Sequence, residues 1–264
     1  MIKFFRQIRK SLLMENKISK YFKYAIGEIV LVVIGILIAL QINNWNETRK
    51  ERNEEQELLN QLYSEYQSNL EQLDEKIALR NSMLLASKKM LYYVDNPETR
   101  NTDSILKNMG FTVIAPTFDP IVNDIISSGR IQLLQNTTLK EKLSRWTSEL
   151  VQVTEEEQVW LNYRSNYYTP FLLKYNMYRN LINRYWEANI MEAFHLDKGT
   201  NTAFTLGPSK KEMNLNTLLN DTDFENHISQ CASFAQLTNS QALSLRQRIV
   251  EIIDLIKKNL KTTN

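Results

Sequence analysis

Asp223, His227 and Cys231 are the side chains whose types and spacing come closest to a metal site. They are four residues apart, so one face of a helix carries all three potential ligands. Their positions cover about 12 Å of helix axis, which is too far for one ion. His227 and Cys231 alone offer two ligands, and no second motif offers the rest. We predict structural roles for them and no metal site.

Carboxylates form a second candidate group, at residues 155–157 and again between residues 47 and 57. Paired carboxylates act as general acid and base only when burial or a neighbouring charge shifts their pKa. Nothing in the sequence signals burial, so we expect both runs to lie on solvated helix faces. The chain also lacks the GxSxG, Walker, HExxH and GxGxxG patterns. We therefore expect no enzymatic activity and no cofactor.

Aromatic residues are concentrated between residues 160 and 186, at spacings of three and four. With arginines nearby, such rings are typical of a pocket for a sugar, a peptide or an anion, and equally of a bulky helical core. We favour the core and keep the pocket as the alternative. The spacing continues through Pro170, which predicts a kink rather than an end of the helix. The candidate pocket residues are Trp160, Tyr163, Tyr167, Phe171, Tyr175 and Tyr178.

Composition indicates the elements that position these groups. The chain has 264 residues with six glycines and five prolines, which favours long helices over a β-sandwich. A single cysteine excludes an internal disulfide. The net charge of +2 depends on residues 1–23, which carry seven basic residues and one acidic residue. The rest is mildly acidic, so we expect no nucleic-acid partner.

A membrane span is predicted at residues 24–45. No charged residue lies between Glu28 and Glu47. Residues 25–42 form about 27 Å of helix, close to the roughly 30 Å of a hydrocarbon core. We expect an uncleaved signal-anchor in the inner membrane. Because basic residues precede the span, residues 1–23 are expected in the cytoplasm and residues 46–264 in the periplasm. A cleaved signal peptide and a buried helix of a soluble protein are the alternatives.

The basic tail has a helical pattern of its own, in which apolar residues alternate with lysines and arginines. This pattern predicts an amphipathic helix on the anionic inner leaflet, or simply a solvated topology signal. The apolar residues are Phe4, Phe5, Ile8, Leu12 and Leu13.

One face of the predicted span carries Glu28, Val32, Gly35 and Ala39. Gly35 and Ala39 form a small-xxx-small pair, which allows another helix to approach closely. An ionisable residue inside a span is a candidate functional group. We consider three roles for Glu28: snorkelling to the headgroups, a helix–helix contact, and proton coupling.

Residues 20–47 resemble the N-terminal signature of a Bacteroidota family of single-span membrane proteins, known only as a domain of unknown function. The matching sequence is KYFKYAIGEIVLVVIGILIALQINNWNE, of which YAIGEIVLVVIGILIALQINNWNE is the signature. Residues 127–136, followed by Leu139 and Leu143, resemble its second pattern. The resemblance implies a membrane anchor with an extracytoplasmic helical domain, and it implies no activity.

Helical periodicity predicts the remaining elements. Residues 47–94 are expected to form one long helix that continues from the span. Asp119 and Pro120 predict the start of a helix that ends at Gly129. Capping boxes at residues 138–141 and 222–225 predict two further starts. A helical stretch is expected at about 171–195, a loop at 196–221, and a last helix to about Leu260.

These patterns predict an all-α protein in which a transmembrane helix precedes an extracytoplasmic antiparallel helical bundle with a long first helix. We expect a non-catalytic binding or scaffold protein that assembles with itself or with another membrane protein through its span and long helix. The alternative is a ligand-sensing domain that uses the aromatic residues at 160–186.

Overall fold

The computed structural model describes residues 18–122, 124–187 and 204–260. Every regular element in these ranges is helical, which confirms the all-α prediction. The predicted amphipathic tail helix around residues 4–13 lies outside the described residues, as does the last part of the stretch expected up to 195.

Helix α1 (Ile18–Asp95) has 78 residues and contains both the apolar segment and the long helix predicted after it. It ends at Asp95, and a 3₁₀ turn (Pro97–Thr99) follows. The Arg100 side chain satisfies carbonyls of the last turn, since Nε donates to Tyr93 O at 2.8 Å and Nη2 donates to Val94 O at 3.3 Å. Because α1 runs without a break from Ile18 to Asp95, the expectation of one continuous helix is confirmed.

By internal contacts the chain divides into a small unit, Met1–Glu57, and a large unit, Leu58–Asn264. In the small unit, one helix is long and apolar enough to cross a membrane, and it is the only such helix among the described residues. Its apolar window has a mean hydropathy of 2.6 and is not buried at all. The predicted boundaries at residues 23 and 46 stay predictions.

The large unit contains the rest of α1 and six further described helices. Helix α3 packs along α7, α2 packs against α5, and α6 contacts α7. Their bounds are α2 (Thr102–Thr112), α3 (Thr137–Tyr163), α4 (Thr169–Leu173), α5 (Tyr178–Glu187), α6 (Leu215–Leu219) and α7 (Thr222–Asn259).

The two long helices α3 and α7 begin slightly before the predicted capping boxes. The Asn136 side chain accepts a hydrogen bond from Leu139 N at 2.9 Å, and the Asp221 side chain accepts one from Asp223 N at 2.8 Å. Asn and Asp rank above Thr as N-caps, because their short side chains reach the free amides of the first turn well. The predictions placed the helices correctly and chose the wrong caps.

Pro170 neither ends nor interrupts the helical path. Between α3 and α4 the backbone widens into a π-turn, Arg164–Tyr168. A proline removes one backbone donor and crowds the preceding turn, and a π-bulge is a common way to absorb that defect. The helical path ends after α4 at Leu173, and Asn176 has a left-handed φ of 55°. The prediction of an unbroken helix from 171 is therefore wrong at residues 174–177.

The described residues between Asp119 and Gly129 do not form the predicted helix. Residues 114–122, which we call the strap, run without helical structure. Gly129 begins rather than ends a helical element, because it has a φ of 74° and precedes a 3₁₀ turn at Arg130–Leu133. The reason lies in side chains that bind the strap's backbone, described below. The loop expected at 196–221 is also interrupted, by α6.

Gly129→Ala tests the backbone requirement at this turn. A left-handed conformation costs a residue with a Cβ about 1–2 kcal/mol, and a Cβ here would meet no atom within 4 Å. We therefore expect a loss of about 1–2 kcal/mol in the free energy of unfolding, measured by urea denaturation. Ser128→Ala is the control and should change little. Equal stability of the alanine variant and the parent would contradict this account.

Candidate functional site

A layer of buried polar side chains divides the apolar core of the large unit. On α1 one apolar cluster includes Leu73 and the other includes Met83. On α3 the first cluster includes Val153 and the second includes Trp160. On α7 the first cluster includes Ala242 and the second includes Ala235. The buried polar residues between these positions, which we call the polar layer, are Lys76, Arg80, Glu157, Thr238 and Asn239.

An ion pair between Arg80 and Glu157 occupies the centre of the polar layer. Each residue is 2% exposed, and Arg80 Nη2 donates to Glu157 Oε1. Burial raises the pKa of Glu157, against the opposing effect of Arg80. Burial likewise lowers the pKa of Arg80. The prediction that residues 155–157 form a solvated face is wrong at Glu157, because this position faces the core side of α3.

Both members of the ion pair also hold the strap. Glu157 Oε2 accepts a hydrogen bond from Phe118 N at 2.7 Å, and Arg80 Nη2 donates to Pro116 O at 3.2 Å. The two charges therefore bind each other and two backbone groups of a segment that lacks helical hydrogen bonds.

Two amide side chains of α1 form further hydrogen bonds with the backbone of the strap. Asn69 accepts from Ile121 N at 2.8 Å and donates to Ile121 O at 3.0 Å. Gln72 accepts from Asp119 N at 2.9 Å and donates to Asp119 O at 3.0 Å. Each side-chain amide thus pairs with the N–H and the C=O of one strap residue, as a neighbouring β-strand would. These backbone groups therefore have hydrogen-bond partners although the strap is not helical.

The sequence contains a pattern that indicates this arrangement and that was not among the predictions above. Asn69, Gln72, Lys76 and Arg80 recur at spacings of three and four along a helix that is otherwise rich in leucine. Such a polar stripe indicates a face that meets polar backbone rather than water or an apolar core. No sequence pattern, however, indicates that Glu157 is the partner of Arg80.

The six candidate pocket residues fall into different environments. Trp160 and Phe171 are buried in the core, while Tyr167 is 63% exposed. The rings contact one another, with centroids 5.9 Å apart for Trp160 and Tyr163 and 5.6 Å apart for Tyr163 and Tyr167. The half-buried members are Tyr163, Tyr175 and Tyr178.

His227 lies among these rings and was not predicted there. Its ring centroid is 4.7 Å from that of Phe171 and 5.4 Å from that of Tyr168. Its Nδ1 is 2.9 Å from the hydroxyl oxygen of Tyr163. Burial lowers the pKa of His227, against the opposing effects of Asp223 and Asp221. Tyr168, outside the predicted stripe, is fully buried.

The three side chains of the candidate metal-ligand face, Asp223, His227 and Cys231, lie in three different environments. Asp223 is exposed, and Cys231 is buried beside the Ser87 hydroxyl, which donates to its sulfur at 3.2 Å. Burial raises the pKa of the Cys231 thiol to about 12. Within the described ranges, no group of three or more His, Cys, Asp or Glu side chains is placed to hold a metal ion.

In the small unit, the predicted contact face follows one side of α1. Val32 is 54% exposed, Ala39 is exposed, and Glu28 is half-buried. A Cβ added at Gly35 would meet no atom within 4 Å. The geometry therefore leaves this side of the helix open to another helix.

Comparison with known proteins gives one match. Residues 28–99 match the model of a family of unknown function (DUF6090). No curated protein and no solved structure matches the chain. The family match supports the expectation of an uncharacterised family, while the Bacteroidota origin and the signature at residues 20–47 stay predictions.

Substitution of the ion pair tests how the polar layer contributes to stability. Removing one member leaves an unpaired buried charge, so Arg80→Met and Glu157→Met should each cost about 3–5 kcal/mol in unfolding free energy. The double variant removes both charges of the pair and should lose less than either single variant. Urea denaturation of the purified full chain measures all three. Losses that simply add would contradict a coupled ion pair.

Acid titration tests the burial of His227. Since its pKa is lowered in the folded state, its contribution to stability is complete above about pH 6.5 and declines as the pH falls below that value. His227→Gln keeps a hydrogen-bonding side chain and cannot titrate, so it should lose less stability between pH 7.5 and 5. Thermal unfolding measures the comparison. Parallel pH profiles for both proteins would refute it.

Proposed function

We propose that this protein is a single-span membrane protein whose large helical domain acts outside the cytoplasm as a non-catalytic binding or scaffold protein. In this proposal it assembles with itself or with another membrane protein through its span and long helix. The observation that carries the proposal is the apolar window of α1, which has no buried residue.

An apolar helix that is open on all sides requires an apolar environment. Transfer of apolar surface out of water is worth about 25 cal/mol per Å², so exposure of this segment to water would be costly. Large side chains around the helix are similarly exposed, from 47% at Val33 to 66% at Leu31. A lipid bilayer provides the environment that this segment needs.

The charges at the two ends of the span support an inner-membrane location with the N-terminus in the cytoplasm. Basic residues dominate residues 1–23, whereas residues 47–57 mix both signs. A cytoplasmic excess of lysine and arginine is the usual determinant of orientation. Residues after about 46 would then be periplasmic.

The large domain, in the same proposal, is an antiparallel helical bundle. Pairing between α1 and α7 supports this arrangement, since Asp74 binds Arg246 at 2.6 Å while the later Asn81 binds the earlier Asn239 at 2.8 Å. An ion pair between Lys142 and Glu251, at 2.7 Å, links α3 to α7.

Association is assigned to the side of the span formed by Glu28, Val32, Gly35 and Ala39. Small residues one turn apart let two backbones approach within van der Waals contact, which is the main driving force between helices in lipid. Gly35 offers the closest approach, because it has no Cβ and an added one would meet no atom of the described residues within 4 Å.

A crosslinked pull-down of the tagged full chain from native membranes tests this role. Gly35→Leu combined with Ala39→Leu should abolish most of the crosslinked complex, because the added side chains block an approaching helix. A Cβ at Gly35 would meet no described atom within 4 Å and Ala39 is exposed, so membrane insertion and folding should persist.

Val30→Leu combined with Val33→Leu is the matched control, as it adds bulk away from the proposed face. This control should leave the complex intact. Complexes that survive the Gly35 and Ala39 substitutions unchanged would refute association through this face, whether the captured partner is a second copy or another protein.

The alternative function is ligand sensing by the aromatic residues at 160–186. Tyr167 favours it, because this ring is 63% exposed and adjoins Tyr163, whose ring in turn contacts the half-buried His227. The burial of Trp160 and Phe171 favours a packing role for the others. Ligand sensing stays the second candidate.

A further inference from the structure

The polar layer contains a small cavity beside the ion pair. Its volume is about 10 Å³, which matches the site of a single water molecule. Polar groups of Arg80, Glu157, Pro116 and Thr238 line one part of it. Apolar side chains close the rest, namely Met83, Trp160, Phe234 and Ala235.

One donor of a residue that lines this cavity has no acceptor among the described residues. Arg80 Nη1 is buried and makes no hydrogen bond, although Nη2 of the same guanidinium binds both Glu157 and Pro116. A buried donor without an acceptor costs about 1–3 kcal/mol, and more when it carries charge. The cavity therefore adjoins a group with a strong need for an acceptor.

We propose that this cavity is a binding site for one ordered water molecule. The water accepts a hydrogen bond from Arg80 Nη1 and donates to Thr238 Oγ1 and to Pro116 O. Thr238 Oγ1 donates to Phe234 O at 2.7 Å, which leaves its lone pairs available. A buried water with about three partners is the common case in globular proteins.

Charge and size both select water over an ion. The Glu157 carboxylate faces the same cavity and repels an anion, while the Arg80 guanidinium repels a cation. The apolar walls and the volume exclude any larger polar molecule. A neutral molecule that both accepts and donates is the ligand that this lining fits.

The experiment is a crystal structure of the full chain in lipid at a resolution that shows ordered water, for the parent and for Thr238→Val. In the parent we expect a density peak within hydrogen-bonding distance of Arg80 Nη1 and Thr238 Oγ1. In Thr238→Val, which keeps the shape and removes the acceptor, the peak should be lost and Tm should fall by about 2–4 °C.

Two further variants control for other effects of the substitution. Thr238→Ser keeps the hydroxyl and should keep the peak. Thr154→Val removes the same kind of hydroxyl bond to a helical carbonyl, here to Leu150 O at 3.1 Å, and should change Tm little. An empty cavity in the parent would overturn the proposal. A peak that persists unchanged in Thr238→Val would overturn the assigned ligands.

Discussion

The buried ion pair between Arg80 and Glu157 is the constraint on which the large domain depends. Two charges at 2% exposure are tolerated only when each finds its partner and further hydrogen bonds. Here the further bonds come from the backbone of the strap. The strap therefore has to pass between α1 and α3 at this level, and the apolar core has to divide around it.

The polar layer also specifies how the three long helices align. Arg80, Glu157 and Thr238 meet at one cavity although they come from three separate helices. A shift of any one helix by a turn would place a charge against an apolar cluster, which is far more costly than the loss of a few van der Waals contacts. We infer that the layer sets the register, while the two apolar clusters supply most of the stabilisation.

The sequence predicted the helices, whose apolar residues recur periodically. It did not predict contacts between residues that lie far apart in the chain. The long helix and the last helix followed from apolar spacing, because one buried stripe is enough to mark them. The end of the strap was predicted as part of a helix at residues 119–129, since Asp119-Pro120 has the local signature of a helix start. Its real conformation depends on Asn69 and Gln72, which lie some fifty residues earlier. The burial of Glu157 likewise depends on its pairing with Arg80, and no local pattern indicates that pairing.

The most direct test of a periplasmic domain on a membrane anchor is thiol labelling with a membrane-impermeant maleimide. The native Cys231 is fully buried and should stay silent, so Leu85→Cys, at a position 67% exposed, reports the large domain. Ser11→Cys reports the predicted cytoplasmic tail. The account predicts that intact spheroplasts label position 85 and protect position 11 until lysis. Protection of position 85 until lysis would contradict it.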